Sequence, residues 1–344
     1  MSRARHARRS PVALGLMIVL LVMVLMLVGA GGFYLWATGA SGDPRPVTLE
    51  IPEGATTSDI AALLQEKKII RSGFAFRVAA RLRGLGSSIG AGRYALETNM
   101  PLQETLDVLE QGPIVETFTV TIPEGLRVEQ VAERVAEDLG LSRKEFLASA
   151  KSGAHVVPPY LPEGSPSVEG FLFPKTYEFI TDVSEDQVIR RLLEQFEEEV
   201  GGLDWNTGEG LGFSPYELVI IASLIEREAK VDEERAKIAS VIYNRLRQEM
   251  LLQIDATVEY ALPEHKNRLT YEDYEYPSPY NTYLHPGLPP TPIASPSLAS
   301  IEAALRPAKT DLLFYLVVDP ETGRHAFAET YQEFLNLKAQ AESA

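Results

Sequence analysis

The 344-residue sequence contains no cysteine. That absence excludes disulfides, thiolate catalysis, cysteine zinc sites and a lipid-modified N-terminal cysteine. Histidine is scarce as well. The five are His6, His155, His265, His285 and His325, and none stands in an H-E-x-x-H pair or another local metal spacing. A zinc hydrolase is not expected, and nothing in the sequence asks for a cofactor. Cations are also few: 32 Lys and Arg face 48 Asp and Glu, a net charge of -16. Four of the positive charges, Arg3, Arg5, Arg8 and Arg9, lie in the first nine residues, so setting them aside leaves the remainder at -20. A body so acidic repels polyanions, which argues against nucleic acid as a partner.

Charge is missing altogether between Pro11 and Gly42. Within that window Val12 to Trp36 is an apolar run of about 25 residues, enough to cross a bilayer with some tilt. A cleaved signal peptide is the competing reading, but its apolar core is usually about 7 to 15 residues. An uncleaved transmembrane anchor is therefore expected. The arginine cluster before it and Asp43 after it predict a cytoplasmic N-terminus and an extracytoplasmic body.

Past the anchor, Val47 to Ile51 alternates as a strand and Pro52-Glu53-Gly54 turns the chain into a helix from Ser58 to Glu66. The pattern returns 71 positions later, with Phe118, Val120 and Ile122 ahead of Pro123-Glu124-Gly125. Two related small αβ units follow from this repeat. Between them lie a basic amphipathic helix from Ser72 to Arg83, a short strand from Gly92 to Leu96 and a helix from Leu102 to Gln111. Arg77, Arg81 and Arg83 could face anionic lipid or a glycan's carboxylates, or form a solvated face. Lys151 to Ser167 reads as a linker, and the aromatic stretch EGFLFPKTYEF (Glu169 to Phe179) opens the last domain.

The chemistry is expected between Ser214 and Arg247. Ser214, Pro215 and Glu217 form a helix start, since the Ser caps the N3 amide, the Pro pre-sets φ and the Glu reaches back. Leu218, Ile221, Ala222, Ile225 and Ala229 recur at helical spacing, and Val219, Ile220 and Leu224 widen the apolar face almost all round. At about 100° per residue Glu226 points between the Val219 and Ala222 directions, into the interior or a cleft wall. Burial without a cationic partner raises a Glu pKa, which suits a general acid. The same position also suits a structural ion pair with Arg227, Lys230 or a distant Arg. Glu228 reads as a border residue. Two residues apart on a helix, Glu226 and Glu228 cannot oppose each other as the two acids of a glycosidase. Further on, Gln253 and Asp255 precede a short helix. Pro277 to Pro296 then holds seven of the 23 prolines with Tyr280, Asn281 and Tyr283, a stiff aromatic segment suited to sugars or to a structural wrap. The chain closes with a helix near Leu298 to Ala304, two strands and a final helix to Gln340.

The chain resembles the MltG/YceG-like endolytic murein transglycosylases. The resemblance rests on IPEG and its repeat, EGFLFPKTY, ASLIERE (Ala222 to Glu228), SVIYNRL (Ser240 to Leu246), LQIDATV (Leu252 to Val258), SPYNTYLHPGLPPTPIASP (Ser278 to Pro296) and AALRPAKTD (Ala303 to Asp311), in the family's order. It departs at Ser295 and Ser297, where an Asn and a Gly are expected, and at Leu316, which replaces an aromatic. The resemblance implies an α+β protein: a cytoplasmic tail (1–10), a transmembrane helix and spacer (11–42), a LysM-like membrane-proximal unit (43–112), a second related αβ unit and linker (113–165), and a catalytic domain (166–344). It implies a single-pass inner-membrane enzyme that cuts nascent peptidoglycan strands internally and works beside cell-wall synthases. Its catalytic Glu, the first of the two in S-[LIV]-[IV]-E-[KR]-E, corresponds here to Glu226. Gln253, Asp255, Asn281, Tyr283, Glu169 and Tyr177 are the expected sugar contacts. In a lytic transglycosylase the C6 hydroxyl of N-acetylmuramic acid attacks its own C1, so one carboxyl serves as acid and then base. From the residues alone, a hydrolytic muramidase with Asp255 as second carboxylate and a non-catalytic peptidoglycan scaffold stay open.

Overall fold

The computed structural model describes residues 11–343 apart from Ser41, Glu116, Pro158, His265 and Asn267. The arginine cluster, His6 and His265 lie outside the described residues. The chain divides into two compact units, one ending at Glu116 and one beginning at Thr117.

The first unit opens with α1 (Pro11–Thr38), whose apolar side chains face outward, Leu20 at 62% and Leu25 at 61% exposure. It is the one helix among the described residues long and apolar enough to cross a membrane. β1 (Pro46–Ile51) follows, then α2 (Thr57–Glu66) and α3 (Gly73–Leu82), β2 (Gly92–Glu97) and α4 (Leu102–Gln111). Thr56 starts α2 with a reciprocal cap, its hydroxyl accepting from Asp59 N while Asp59 accepts from Thr56 N at 2.8 Å. β1 and β2 pair antiparallel with Leu49 opposite Tyr94 and Val47 opposite Leu96. Period-two alternation sends Leu49, Ile51, Tyr94 and Leu96 to one face, where Ile60, Leu64, Phe76 and Leu106 cover them.

In the second unit β3 (Thr117–Thr121), α5 (Val128–Leu139), α6 (Arg143–Ala150) and β4 (Thr176–Ile180) repeat the order strand, helix, helix, strand. β3 pairs antiparallel with β4, Val120 opposite Tyr177. The turn of each copy needs a left-handed residue, and glycine supplies it, Gly54 with φ 74° and Gly125 with φ 75°. The closing strand of the second copy overlaps the end of EGFLFPKTYEF and lies beyond residue 165, the expected end of that unit. Its buried Val120, Val131 and Val135 share one core with Phe171, Phe196 and Ile221, so this copy does not have a core of its own.

The remaining elements are α7 (Glu185–Val200), α8 (Asn206–Leu211), α9 (Pro215–Glu228), α10 (Arg235–Arg247), α11 (Asp255–Ala261), α12 (Tyr271–Tyr274), α13 (Leu298–Leu305), the hairpin β5 (Phe314–Asp319) and β6 (Arg324–Ala328), and α14 (Tyr331–Ser343). α9 is the axis of the unit. It starts at the expected Ser214, Pro215, Glu217 cap and buries nine consecutive residues from Leu218 to Glu226, with α10 and α13 against it. A helix buried on every side must satisfy each polar side chain it carries through tertiary partners.

Candidate active site

α9 carries two glutamates into different surroundings. Glu226 is buried, its side chain 5% exposed, and its Oε2 accepts from the Ser297 amide at 2.9 Å, the Ser297 hydroxyl at 2.5 Å and Arg235 Nη1 at 3.3 Å. Arg235 in turn donates to Ser300 Oγ at 2.5 Å and to Asp232 at 3.2 Å. Of the two readings of Glu226, the ion pair with a distant arginine has its partner in Arg235. Ser297, one of the positions departing from the family pattern, is the N-cap of α13 and holds Glu226 from there. At a second departure, Ser295 Oγ is buried with no partner among the described residues.

Glu228 is the last residue of α9 and half-buried. Its carboxyl is raised to about 7, chiefly by burial; the Tyr315 hydroxyl that donates to it at 3.0 Å opposes the rise and the nearby acids Asp255 and Glu259 add to it. Arg227 pulls the other way but divides its guanidinium between Glu259 at 3.3 Å and the Gly125 carbonyl at 3.4 Å. Tyr315 is set by β5 and by an edge contact with His325, ring centroids 5.3 Å apart, and His325 Nδ1 lies 2.8 Å from buried Glu234. Beneath the site, Arg245 donates to the carbonyls of Leu313 at 2.7 Å and Leu252 at 2.7 Å, tying the start of β5 to the loop before α11.

Asp255, exposed at the start of α11, accepts from the Tyr283 hydroxyl at 2.6 Å and the Tyr274 hydroxyl at 3.3 Å. The two rings sit 4.6 Å apart. Asp255, Glu259, Arg268, Tyr271 and Tyr274 border an open cavity of about 880 Å³. Tyr271 is 94% exposed beside it. Exposed phenol faces next to carboxylates form a surface on which sugar rings stack while their hydroxyls find acceptors.

Of the expected sugar contacts, Asp255 borders this cavity, and Tyr283 is joined to it through the hydroxyl that donates to Asp255. Gln253 is exposed two residues away, in a left-handed conformation with φ 54°, its backbone N–H donating to the Thr282 carbonyl at 3.1 Å. Asn281 is fully buried: it donates to the carbonyls of Tyr274 and Tyr276 at 3.0 Å each and accepts from Tyr283 N at 3.0 Å, so it shapes the loop that presents the tyrosines. Glu169 and Tyr177 lie in the core. Glu169, 1% exposed and pushed up to about 8 by burial, accepts from Val128 N at 3.1 Å at the start of α5. Tyr177 donates to the Phe173 carbonyl at 2.6 Å. Neither side chain is available to a glycan. Sequence reasoning passed over Tyr315, Arg245, Glu259 and Tyr274. The one signal for Tyr315 was its place in a strand late in the chain, which says nothing of what faces it.

The profile of the YceG-like family matches residues 49–340. The chain belongs to the YceG-like family. This bears out the resemblance carried by the motifs from IPEG to AALRPAKTD. Among YceG-like relatives, the endolytic murein transglycosylase of Bacillus subtilis (strain 168) is 35% identical over 305 residues, covering 85% of this chain and 84% of that one. The endolytic murein transglycosylase of Streptococcus pneumoniae (strain ATCC BAA-255 / R6) is 29% identical, covering 92% of this chain, which spans 63% of the pneumococcal protein. A YceG-like protein from Listeria monocytogenes, known from a crystal structure, is 33% identical with a TM-score of 0.59, over 86% of this chain and all of the other.

Proposed function

We propose that this chain is an endolytic lytic transglycosylase of peptidoglycan in which Glu228, rather than Glu226, is the general acid and base. The observation that carries this reading is the contrast between two carboxyls on one helix. Glu228 is raised to about 7, is half-buried, accepts from Tyr315 and feels the charges of Asp255 and Glu259, two carboxylates that border the cavity, whereas Glu226 is held by Ser297 and Arg235. A carboxyl raised that far is protonated over much of the range in which an extracytoplasmic enzyme works, and its conjugate base is still strong enough to accept a proton. The activity printed for the Bacillus and pneumococcal relatives supports the reaction class.

In the mechanism, Glu228 donates its proton to the oxygen linking C1 of N-acetylmuramic acid to C4 of N-acetylglucosamine, and the C1–O bond breaks. The positive charge on the ring lies near Asp255 and Glu259, which stabilise it. The ionised Glu228 then takes the proton of the same sugar's C6 hydroxyl as O6 bonds to C1. One bond breaks, one forms and no water is consumed. Asp255 is committed to two tyrosine hydroxyls, which favours a charge-stabilising role over that of hydrolytic nucleophile.

Mass spectrometry of digested glycan decides the reaction. Wild-type products should end in 1,6-anhydro-N-acetylmuramic acid, while reducing ends heavier by one water as the main product would replace the transglycosylase by a muramidase. A second expectation concerns Tyr315→Phe, which keeps the ring and removes the donor that holds the Glu228 carboxyl down. Its rate-against-pH curve should lose activity at a higher pH than the parent's limb near 7. An unmoved limb would detach Tyr315 from the acid.

α1 would anchor the enzyme in the inner membrane with the body outside, next to the synthases that extrude nascent strands. The antiparallel strand, helix, helix, strand order of residues 46–97 supports a LysM-like glycan-holding role for the first unit.

A further inference from the structure

α3 presents an apolar stripe that the first unit does not cover. Phe74, Val78 and Leu82 recur four apart on one side of the helix and are 60%, 44% and 83% exposed, while Phe76 and Ala80 fill the core from the opposite side. Arg77 and Arg81, exposed and without an ion pair among the described residues, lie between those two faces. The stripe borders the end of α1. Together with Phe33, Tyr34 and Ala37 it lines an apolar cavity of about 340 Å³. The juxtaposition is held by Arg71, just before α3, which donates to the carbonyls of Trp36 at 3.0 Å and Ala40 at 2.9 Å with its guanidinium 5.9 Å from the Trp36 ring. At the other end Arg83 is held on α4 through Asp107 at 2.5 Å and Gln103 at 2.6 Å.

Length places this corner relative to a bilayer. α1 has 28 residues, about 42 Å at 1.5 Å per residue, against about 30 Å of hydrocarbon that some 20 residues cross. A span beginning just after the arginine cluster therefore leaves the hydrocarbon near Phe33, Tyr34 and Trp36, the residue types that favour the headgroup boundary. α3 packs at that level. Resting on the reading of α1 as a membrane anchor, we propose that α3 is an interfacial helix. Phe74, Val78 and Leu82 lie among the upper acyl chains of the leaflet from which α1 emerges, a lipid chain occupies the cavity between α1 and α3, and Arg77 and Arg81 pair with anionic lipid phosphates. The first unit is then held against the membrane by two helices, one crossing it and one lying on it, which restricts how it can turn about α1.

The absence of cysteine makes the test direct, because a single introduced cysteine takes the only label. The full chain carrying Val78→Cys or Leu82→Cys with an environment-sensitive fluorophore is reconstituted in phosphatidylcholine vesicles, with or without phosphatidylglycerol, at one copy per vesicle. Lipids with a nitroxide on an early acyl carbon should quench most of the emission at 78 and 82, a deep nitroxide should quench a Leu25→Cys label on α1, and a Glu50→Cys label on β1 should respond to neither. Phosphatidylglycerol should strengthen the quenching at 82, and R77Q/R81Q should abolish that gain. Labels at 78 and 82 that answer to aqueous iodide and not to the nitroxide lipids, while Leu25 is quenched, would overturn the interfacial helix and leave the anchor standing. No quenching at Leu25 would remove the anchor as well. Labels exposed at one copy per vesicle but protected when several copies share a vesicle would make a second copy of the chain the occupant and overturn the interfacial helix, and equal quenching in both vesicle types would overturn the phosphate pairing.

Discussion

Glu228→Gln should fold as the parent does, bind glycan and lose turnover by about 10² to 10⁴-fold, the usual contribution of a general acid and base. The amide keeps the shape and still accepts from Tyr315, but it neither releases nor takes the proton. Two pH dependences accompany this. Parent activity should fall as pH rises through about 7, where the acid form of Glu228 is lost. Stability follows the same direction. A carboxyl whose folded value lies above its ordinary 4.5 favours the folded state when protonated, and that contribution is lost as pH rises through about 7. Glu228→Gln has no such proton, so its unfolding temperature relative to the parent should climb between pH 5 and 8. Wild-type turnover in Glu228→Gln, with Glu226→Gln folded and inactive, would return the acid to Glu226.

Arg235→Ala should cost about 3 to 5 kcal/mol of stability, because removing one partner of a buried pair leaves the other uncompensated. Side-chain exposures of 9% for Arg235 and 5% for Glu226 put this pair in that class. The hydroxyl of Ser300 would lose its donor at the same time. Glu226→Gln should cost less, since the amide oxygen can still accept from the Ser297 amide and hydroxyl. Denaturant unfolding of the two variants measures the difference, and the molecules that stay folded should keep the parent's pH limb. An Arg235→Ala protein as stable as the parent would show that the pair is not structural and reopen the assignment of Glu226.

Features that rest on residues close together in the chain are legible without the fold. An uncharged run of about 25 residues is a membrane-length helix whatever follows it. Ser214, Pro215 and Glu217 start α9 because capping involves only residues three apart, and the structure has that reciprocal cap. The IPEG repeat was legible because a turn needing a left-handed residue requires glycine at the same place in each copy. The core of α9 was legible too, from its helical period. What that period could not decide was which glutamate is free to act. On a helix apolar nearly all round, direction gives depth and not neighbours. Glu226 meets Ser297 71 residues away and Arg235 from the next helix, whereas Glu228 meets Tyr315 87 residues away on a strand that Arg245 and His325 hold in position. Likewise Asn281 and Glu169, polar residues in motif-dense stretches, turned out to hold a loop and a helix start. Only long-range packing distinguishes a side chain that faces a cleft from one that satisfies the core, because both are polar, both are partly or wholly buried, and their hydrogen-bond partners come from distant parts of the chain.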